Sequence, residues 1–353
     1  TDSEIKDNKC YGNSENGISM GETTYSNFTG NTVYSNTKNG FFVYGPLMGP
    51  AGVPENLLFE DNNASYNTLA GVLLESVVYE NEFDNFTAHD NAVGLNATNE
   101  EGTGYTTSKQ NTVANSDFTD NTNYGILLDT GVVFSIENVS ISGSTEGIRI
   151  EDAEDSTFTN VTVEVKNGNT ARCVALHGAD ENSFEKGVCF GDAGYSNTNR
   201  YFFLVDDSHN TNISSYNFSY QGGSEASQPA MILANNSNGL NVSYSNFSDD
   251  NGMSYDDPMV PGSAVDFHAI RFEDGEPDAG SLTSAFVHDN EFENFTKAVY
   301  LDYDELDSGE YTTLNVSYNA VRGYPDSSTS SGITFELLYG GIDNSVQDAF
   351  KDY

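Results

Sequence analysis

One phrase recurs along the chain and limits what it can fold into. A small residue followed by apolar, any and apolar is read at Gly17-Ile18-Ser19-Met20, Gly40-Phe41-Phe42-Val43, Gly71-Val72-Leu73-Leu74, Ala92-Val93-Gly94-Leu95, Gly125-Ile126-Leu127-Leu128 and Gly147-Ile148-Arg149-Ile150. It continues at Cys173-Val174-Ala175-Leu176, Tyr201-Phe202-Phe203-Leu204, Ala230-Met231-Ile232-Leu233, Ala269-Ile270-Arg271-Phe272, Ala298-Val299-Tyr300-Leu301 and Gly332-Ile333-Thr334-Phe335. The tightest spacings, a little over twenty residues, define the bare repeat, and the longer ones add loops. A second phrase, of the type Asn-Phe-Thr or Phe-Thr-x-Asn, lies between the anchors, as in "SNFTGNT", "FDNFTAHDN" and "SDFTDNTN". Short apolar-polar alternation bounded by Asn, Asp and Gly predicts strands and turns, and no stretch has helical periodicity. A unit this short cannot bury its own apolar face, so neighbouring units must stack into a solenoid.

These repeats resemble those of the right-handed parallel β-helix, in its pectate-lyase-like and NosD-like forms and specifically its archaeal surface-protein branch. The resemblance implies an all-β solenoid of about twelve coils forming one domain over residues 1–353, with regular coils from about 16 to 346. Insertions are expected near 44–56, 96–109, 191–199, 220–229, 249–265, 274–281, 303–311 and 323–331. In such a fold Phe28, Phe86, Phe118, Phe158, Phe184, Phe218, Phe247 and Phe295 are expected to stack inside. The scaffold alone does not assign an activity, because one fold hosts many functions.

Composition narrows the setting. Thirteen Lys and Arg against 54 Asp and Glu give a net charge of −41, which disfavours nucleic acid and anionic membranes as partners. Such acidity suits a salt-rich, archaeal extracellular setting. No apolar run is long enough to span a membrane, and no signal peptide or initiator Met is seen, so a mature or trimmed ectodomain is expected. Thirteen Asn-x-Ser/Thr sequons, at Asn27, Asn63, Asn85, Asn96, Asn138, Asn160, Asn212, Asn217, Asn235, Asn241, Asn246, Asn294 and Asn315, point to N-linked glycans; the same pattern also suits a turn entering a strand. Cys173 and Cys189 are candidates for a disulfide, which leaves Cys10 free or intermolecular; alternatively all three are small core residues.

Catalytic candidates are thin. Asp206 and Asp207 with His209, and Asp266 with His268 and Arg271, are the local clusters that could serve a polysaccharide lyase or glycoside hydrolase. "DDNGMSYDD" (249–257) and "EDGEPDAG" (273–280) are candidate calcium loops, and no other cofactor is implied. If the second and fourth anchor residues point inward, the third points out. That row includes Phe42, Leu73, Leu127, Phe203, Ile232 and Tyr300, an apolar stripe on an acidic chain that calls for a cover, either inserted loops or another subunit. The terminal segments lack an obvious cap, which favours strand addition at the ends or a longer parent chain. The expectation is a self-assembling extracellular structural glycoprotein of a layer, sheath or filament. A secreted polysaccharide-acting enzyme and a non-catalytic carbohydrate-binding adhesin or tailspike are the alternatives.

Overall fold

The computed structural model describes residues 3–21, 24–45, 54–75, 80–98, 110–165, 172–191, 201–220, 230–249, 268–273, 284–293, 297–302 and 313–322. The chain is a right-handed parallel β-helix. Its described strands form three parallel sheets of 12, 12 and 11 strands, and each sheet takes every third strand in chain order. One strand from each of sheets 1, 2 and 3 makes a coil, and twelve coils at the usual interstrand spacing give a rod of about 55 Å. The first coil begins at Ser3–Lys6 and Lys9–Tyr11, ahead of the expected start near residue 16. The anchor at Gly332 lies outside the described residues.

Parallel stacking places each side chain on its counterpart one coil away. Sheet 1 has the interior row Ile5, Phe28, Phe59, Phe83, Val113, Ile136, Phe158, Phe184, Ile213, Val242, Val287 and Val316. The matching row of sheet 2 includes Ala64, Ala88, Phe118, Phe218, Phe247 and Phe292. Bulk alternates between the two sheets within a coil: Phe59 faces Ala64 and Phe83 faces Ala88, whereas Val113 accompanies Phe118 and Val242 accompanies Phe247. Summed volume therefore stays level along the bore, as close packing demands. The aromatic stacks are thus Phe28–Phe59–Phe83 and Phe158–Phe184 on sheet 1 and Phe218–Phe247–Phe292 on sheet 2. The phenylalanines expected to stack inside are thus divided between the two sheets. Phe86 occupies a corner instead, and Phe295 lies outside the described residues.

The anchor phrase begins with a small residue because there the backbones of adjacent coils almost touch. A Cβ on Gly94 would lie 2.4 Å from the carbonyl oxygen of Gly125, and one on Gly71 would lie 2.7 Å from that of Gly94. The corners are single residues in the left-handed region. Among the described residues, fifteen of the 25 non-glycine residues with positive φ are Asn or Asp, the side chains that tolerate this conformation best.

The next residue at many corners points inward and bonds along the rod. Between sheets 2 and 3 the amide groups of Asn13, Asn36, Asn67, Asn91 and Asn121 form a ladder. Backbone and side-chain nitrogens of Asn36 donate to Asn67 Oδ1 (3.2 and 2.9 Å), and those of Asn67 donate to Asn91 Oδ1 (2.9 and 3.0 Å). Buried corner amides are satisfied by the neighbouring coil. Asn67→Ala would strand two buried donors of Asn36, and urea unfolding is expected to show a loss of about 2 kcal/mol or more. An unchanged midpoint would mean that the ladder is dispensable.

Candidate functional site

The strands of sheet 3 are the longest, six residues in most coils, and they share one order. An inward residue, an outward one, another inward and then a closing residue recur as Val72-Leu73-Leu74-Glu75, Ile126-Leu127-Leu128-Asp129, Ile148-Arg149-Ile150-Glu151 and Val174-Ala175-Leu176-His177. The register continues with Phe203-Leu204-Val205-Asp206 and Ile232-Leu233-Ala234-Asn235. Phe203 and Ile232 therefore belong to the core and are fully buried, which corrects their expected place on the outer stripe. Leu204 and Leu233 hold the outward positions, and Asn96, not Gly94, does so one coil before Leu127. Five or six apolar residues in succession have no alternation to fix the phase. The closing polar residue does fix it and was the signal available in the sequence.

The outer face then divides in two. Phe42, Leu73 and Leu127 remain partly exposed. Further along, Ala175, Tyr201, Leu204, Ala230 and Leu233 form a second apolar cluster, closed off from solvent within the single chain, and Arg271 beside Leu233 is also buried. Tyr300 pairs with Arg271 in the sheet 3 register. At Leu204 and Leu233 a partner subunit is not needed to cover the stripe.

Between these halves lies a concentration of charge. Glu146 is buried and accepts from Arg149 NH1 at 3.2 Å and from Arg172 NH1 at 3.1 Å. Arg149 Nε also donates to Glu151 at 2.6 Å, and its guanidinium lies 5.7 Å from the centre of the Tyr124 ring. Burial opposes the charge of Arg149, but its bonds to Glu151 and Glu146 outweigh that and raise its pKa. One coil on, His177 Nδ1 meets Asp206 Oδ2 at 3.1 Å, and Asn235 Nδ2 donates to Asp206 Oδ1 at 2.7 Å. The His177 hydrogen bond, aided by Asn235 and by the charges of His177 and Arg172, holds the Asp206 carboxyl below its ordinary range against the opposing effect of burial. His177 Nε2 and Asn235 Oδ1 are buried atoms without a hydrogen-bond partner.

The other candidates are dispersed. Asp207 is a left-handed corner residue, φ 48°, and His209 occupies the same corner, where its Nδ1 accepts from the Asn238 backbone at 3.2 Å and its backbone nitrogen donates to Asp180 at 2.7 Å. The Asp206, Asp207 and His209 cluster is therefore not assembled; His177, from the preceding coil, takes the place expected of His209. Asp266 lies outside the described residues, as does most of each calcium-loop candidate, and His268 begins the sheet 3 strand that also holds Arg271.

Cys173 and Cys189 form a disulfide with 6.0 Å between their Cα atoms, joining successive coils inside the bore. Cys10 is free and half-buried beside Ile5 and Ile18, lining a cavity of about 560 Å³ at the N-terminal end of the rod. Among the sequons, Asn27, Asn85, Asn138, Asn160, Asn217, Asn246 and Asn315 are exposed, and Asn63, Asn96, Asn212 and Asn241 are half-buried. Asn235 has its amide nitrogen engaged by Asp206, and Asn294 lies outside the described residues.

Residues 1–106 match the family model described as right handed beta helix region, and residues 86–186 match that of the periplasmic copper-binding protein NosD. Among solved structures the chain is similar to the A-module of the Azotobacter vinelandii mannuronan C-5 epimerase AlgE4, at 11% identity over 88% of this chain and 91% of that one, TM-score 0.37. It is also similar to tailspike protein 2 of Escherichia coli O157:H7 bacteriophage CAB120, at 14% identity over 85% and 38%, TM-score 0.37. A third is the catalytic domain of a GH87 α-1,3-glucanase, at 10% identity over 89% and 64%, TM-score 0.36. No curated protein sequence matches.

The described residues do not fit a copper site. Copper favours clustered thiolate, thioether and imidazole ligands, whereas Cys173 and Cys189 are joined to each other and His89, His177 and His288 each face one aspartate. Among the described residues no three His, Cys, Asp or Glu side chains converge for a metal. The intramolecular disulfide suits a chain outside the cytoplasm, as does the match to a periplasmic family.

Two outcomes are expected. Reducing the disulfide, or Cys173→Ser with Cys189→Ser, should cost roughly 3 kcal/mol in urea unfolding for a loop of this length. Asp206 has its folded pKa below the unfolded value of about 3.9, so its contribution is full above that pH and disappears as pH falls through the folded value. Asp206→Asn should therefore be less stable than the parent at neutral pH and equal to it in strong acid; a difference that persists in acid would contradict the assignment.

Proposed function

We propose that this is an extracytoplasmic β-helix protein that holds an extended glycan across the outer face of sheet 3. One observation carries the reading. Of five arginines in a chain of net charge −41, the partly exposed Arg149 and Arg172 both lie on sheet 3, alongside His177, Asp206 and Asn235. Guanidinium, imidazole, carboxylate and amide groups in rows about 4.8 Å apart suit the repeated hydroxyl and carboxylate groups of a polysaccharide lying along the rod. The face is read as a binding surface, in which Asp206, held below the ordinary carboxylate range, does not suit the role of a glycosidic general acid. In native gels cast with soluble polyuronates or neutral glucans, the protein should be retarded. An Arg149→Gln, His177→Gln variant of parental thermal stability should migrate freely; equal retardation of both would remove sheet 3 from recognition.

A second reading, a self-assembling surface glycoprotein, is favoured by the partly exposed Phe42, Leu73 and Leu127, with N-linked glycans on the exposed sequons. Negative-stain electron microscopy in high salt, with and without calcium, should then show filaments or sheets that Phe42→Glu abolishes. Single particles under every condition would leave the glycan-binding reading alone.

A further inference from the structure

Among the described residues, four left-handed corners are held by tyrosine. Tyr25, Tyr66, Tyr244 and Tyr318 have φ of 53°, 54°, 52° and 55°, and their exposures are 57, 59, 62 and 80%. A bulky side chain in this region is disfavoured relative to the asparagine or glycine used elsewhere. A ring left in water does not offset this through burial. Neither the corner nor the core accounts for these tyrosines.

Two of them sit in the same arrangement. The Tyr66 ring meets the His89 ring at 5.4 Å and 84°, and His89 Nδ1 meets Asp90 Oδ2 at 2.8 Å. The Tyr244 ring meets the His288 ring at 5.8 Å and 85°, and His288 Nδ1 meets Asp289 Oδ2 at 2.8 Å. In each case the aspartate is the left-handed corner residue one coil beyond the tyrosine. The negative charge of Asp90 raises the pKa of the Tyr66 hydroxyl. The two copies occupy different edges of the rod, one leaving sheet 2 and the other leaving sheet 1, so stacking of one row does not explain the recurrence. The sequence repeats it as His-Asp-Asn at 89–91 and 288–290, with Ser-Tyr one coil earlier at 65–66 and 243–244.

The surroundings select a ligand. Tyr11 and Tyr34 stack at 4.9 Å and 10° on the edge that runs to His89, extending the aromatic strip over the first four coils. From Gly30 to Pro54 the sequence has no Asp or Glu, and from Asn62 to Leu74 it has none either, although 54 occur in the whole chain. Ring faces flanked by amides and hydroxyls, with a paired imidazole and carboxylate at the edge, match the apolar C–H face and rim hydroxyls of a sugar. Around the first copy this depletion of acids argues against a cationic partner, whereas Glu291 and Glu293 follow the second.

We propose that Tyr66 with His89 and Asp90, and Tyr244 with His288 and Asp289, are two surface subsites for neutral carbohydrate, each stacking a sugar ring on the tyrosine. They are separate from the face of sheet 3 and stand or fall independently of it. The test uses Tyr66→Asn and Tyr244→Asn, singly and together, because asparagine suits the corner and removes only the ring. Tyr66→Phe retains the ring. In native gels containing a soluble β-glucan, α-glucan or galactomannan, the parent and Tyr66→Phe should be retarded alike. The double Asn variant, as stable as the parent or more so, should bind roughly tenfold more weakly or worse. No retardation of the parent by any neutral polysaccharide would overturn the proposal, as would equal retardation of the double variant. Retardation by polyuronate alone would assign binding to sheet 3 and overturn it too. Loss of self-association in the double variant without a change in glycan binding would make the tyrosines a protein contact instead.

Discussion

Everything in this rod depends on the spacing between parallel strands. Each coil supplies hydrogen bonds to the next, and a residue has its counterpart about 4.8 Å above and below it. Like therefore stacks on like: Phe59 on Phe83, Asn67 on Asn91, Gly71 on Gly94. No coil is stable alone, because its corner amides and apolar inner face are completed by neighbours. Where a row changes residue type, a compensating change appears nearby. Gly187 interrupts the inner corner row of sheets 1 and 2, and the Tyr216 ring from the next coil fills the space that a Cβ on Gly187 would need. The buried Tyr216 hydroxyl reaches the Val161 carbonyl at 3.4 Å, and burial raises its pKa.

The repeat made the fold legible, since eleven of the twelve anchors, all but the one at Tyr201, open on a small residue and so imply backbone-to-backbone contact between stacked units. The Phe-Thr phrase was less informative, because the large residue moves from sheet 1 in Phe83 to sheet 2 in Phe118 and the phrase reads similarly in both. Phase was less legible. "YFFLVD" and "AMILAN" contain no internal polar residue to mark inside from outside, and only the closing Asp206 and Asn235 show that Phe203 and Ile232 point inward. The candidate site was legible only in fragments. Asp206 was identifiable, but its partners His177 and Asn235 are 29 residues away on either side, a separation that only the coil length converts into contact. The paired Arg149 and Arg172 were invisible for the same reason. Ser-Tyr followed by His-Asp-Asn was present in the letters, and it acquired meaning only when the corners showed that the tyrosine and aspartate are successive left-handed residues of one row.

Stacking also constrains where so acidic a chain can put its charge. Two carboxylates in register on adjacent coils repel by about 1 kcal/mol even in water, and at that separation salt screens them poorly, since the Debye length at 0.1 M is about 10 Å. The closing row of sheet 3 reads Glu75, Thr98, Asp129, Glu151, His177, Asp206, Asn235 and Glu273. Asp302 follows Glu273, so neutral or basic groups separate its acids except at Asp129–Glu151 and Glu273–Asp302. The adjacent Asp129 and Glu151 are relieved by Arg149 on one side, and Asp129 also accepts from Thr98 at 3.3 Å and Thr130 at 2.8 Å on the other. The scarce cations of this protein are thus placed where the fold forces acids into register. Arg149 and Arg172 are held in position by Glu146 and Glu151 before any ligand arrives, and the rigidity of the rod keeps their spacing fixed. A flexible glycan that adopted this spacing would lose conformational freedom on its own side only, which is the advantage a preorganised linear surface has over a loop-built pocket.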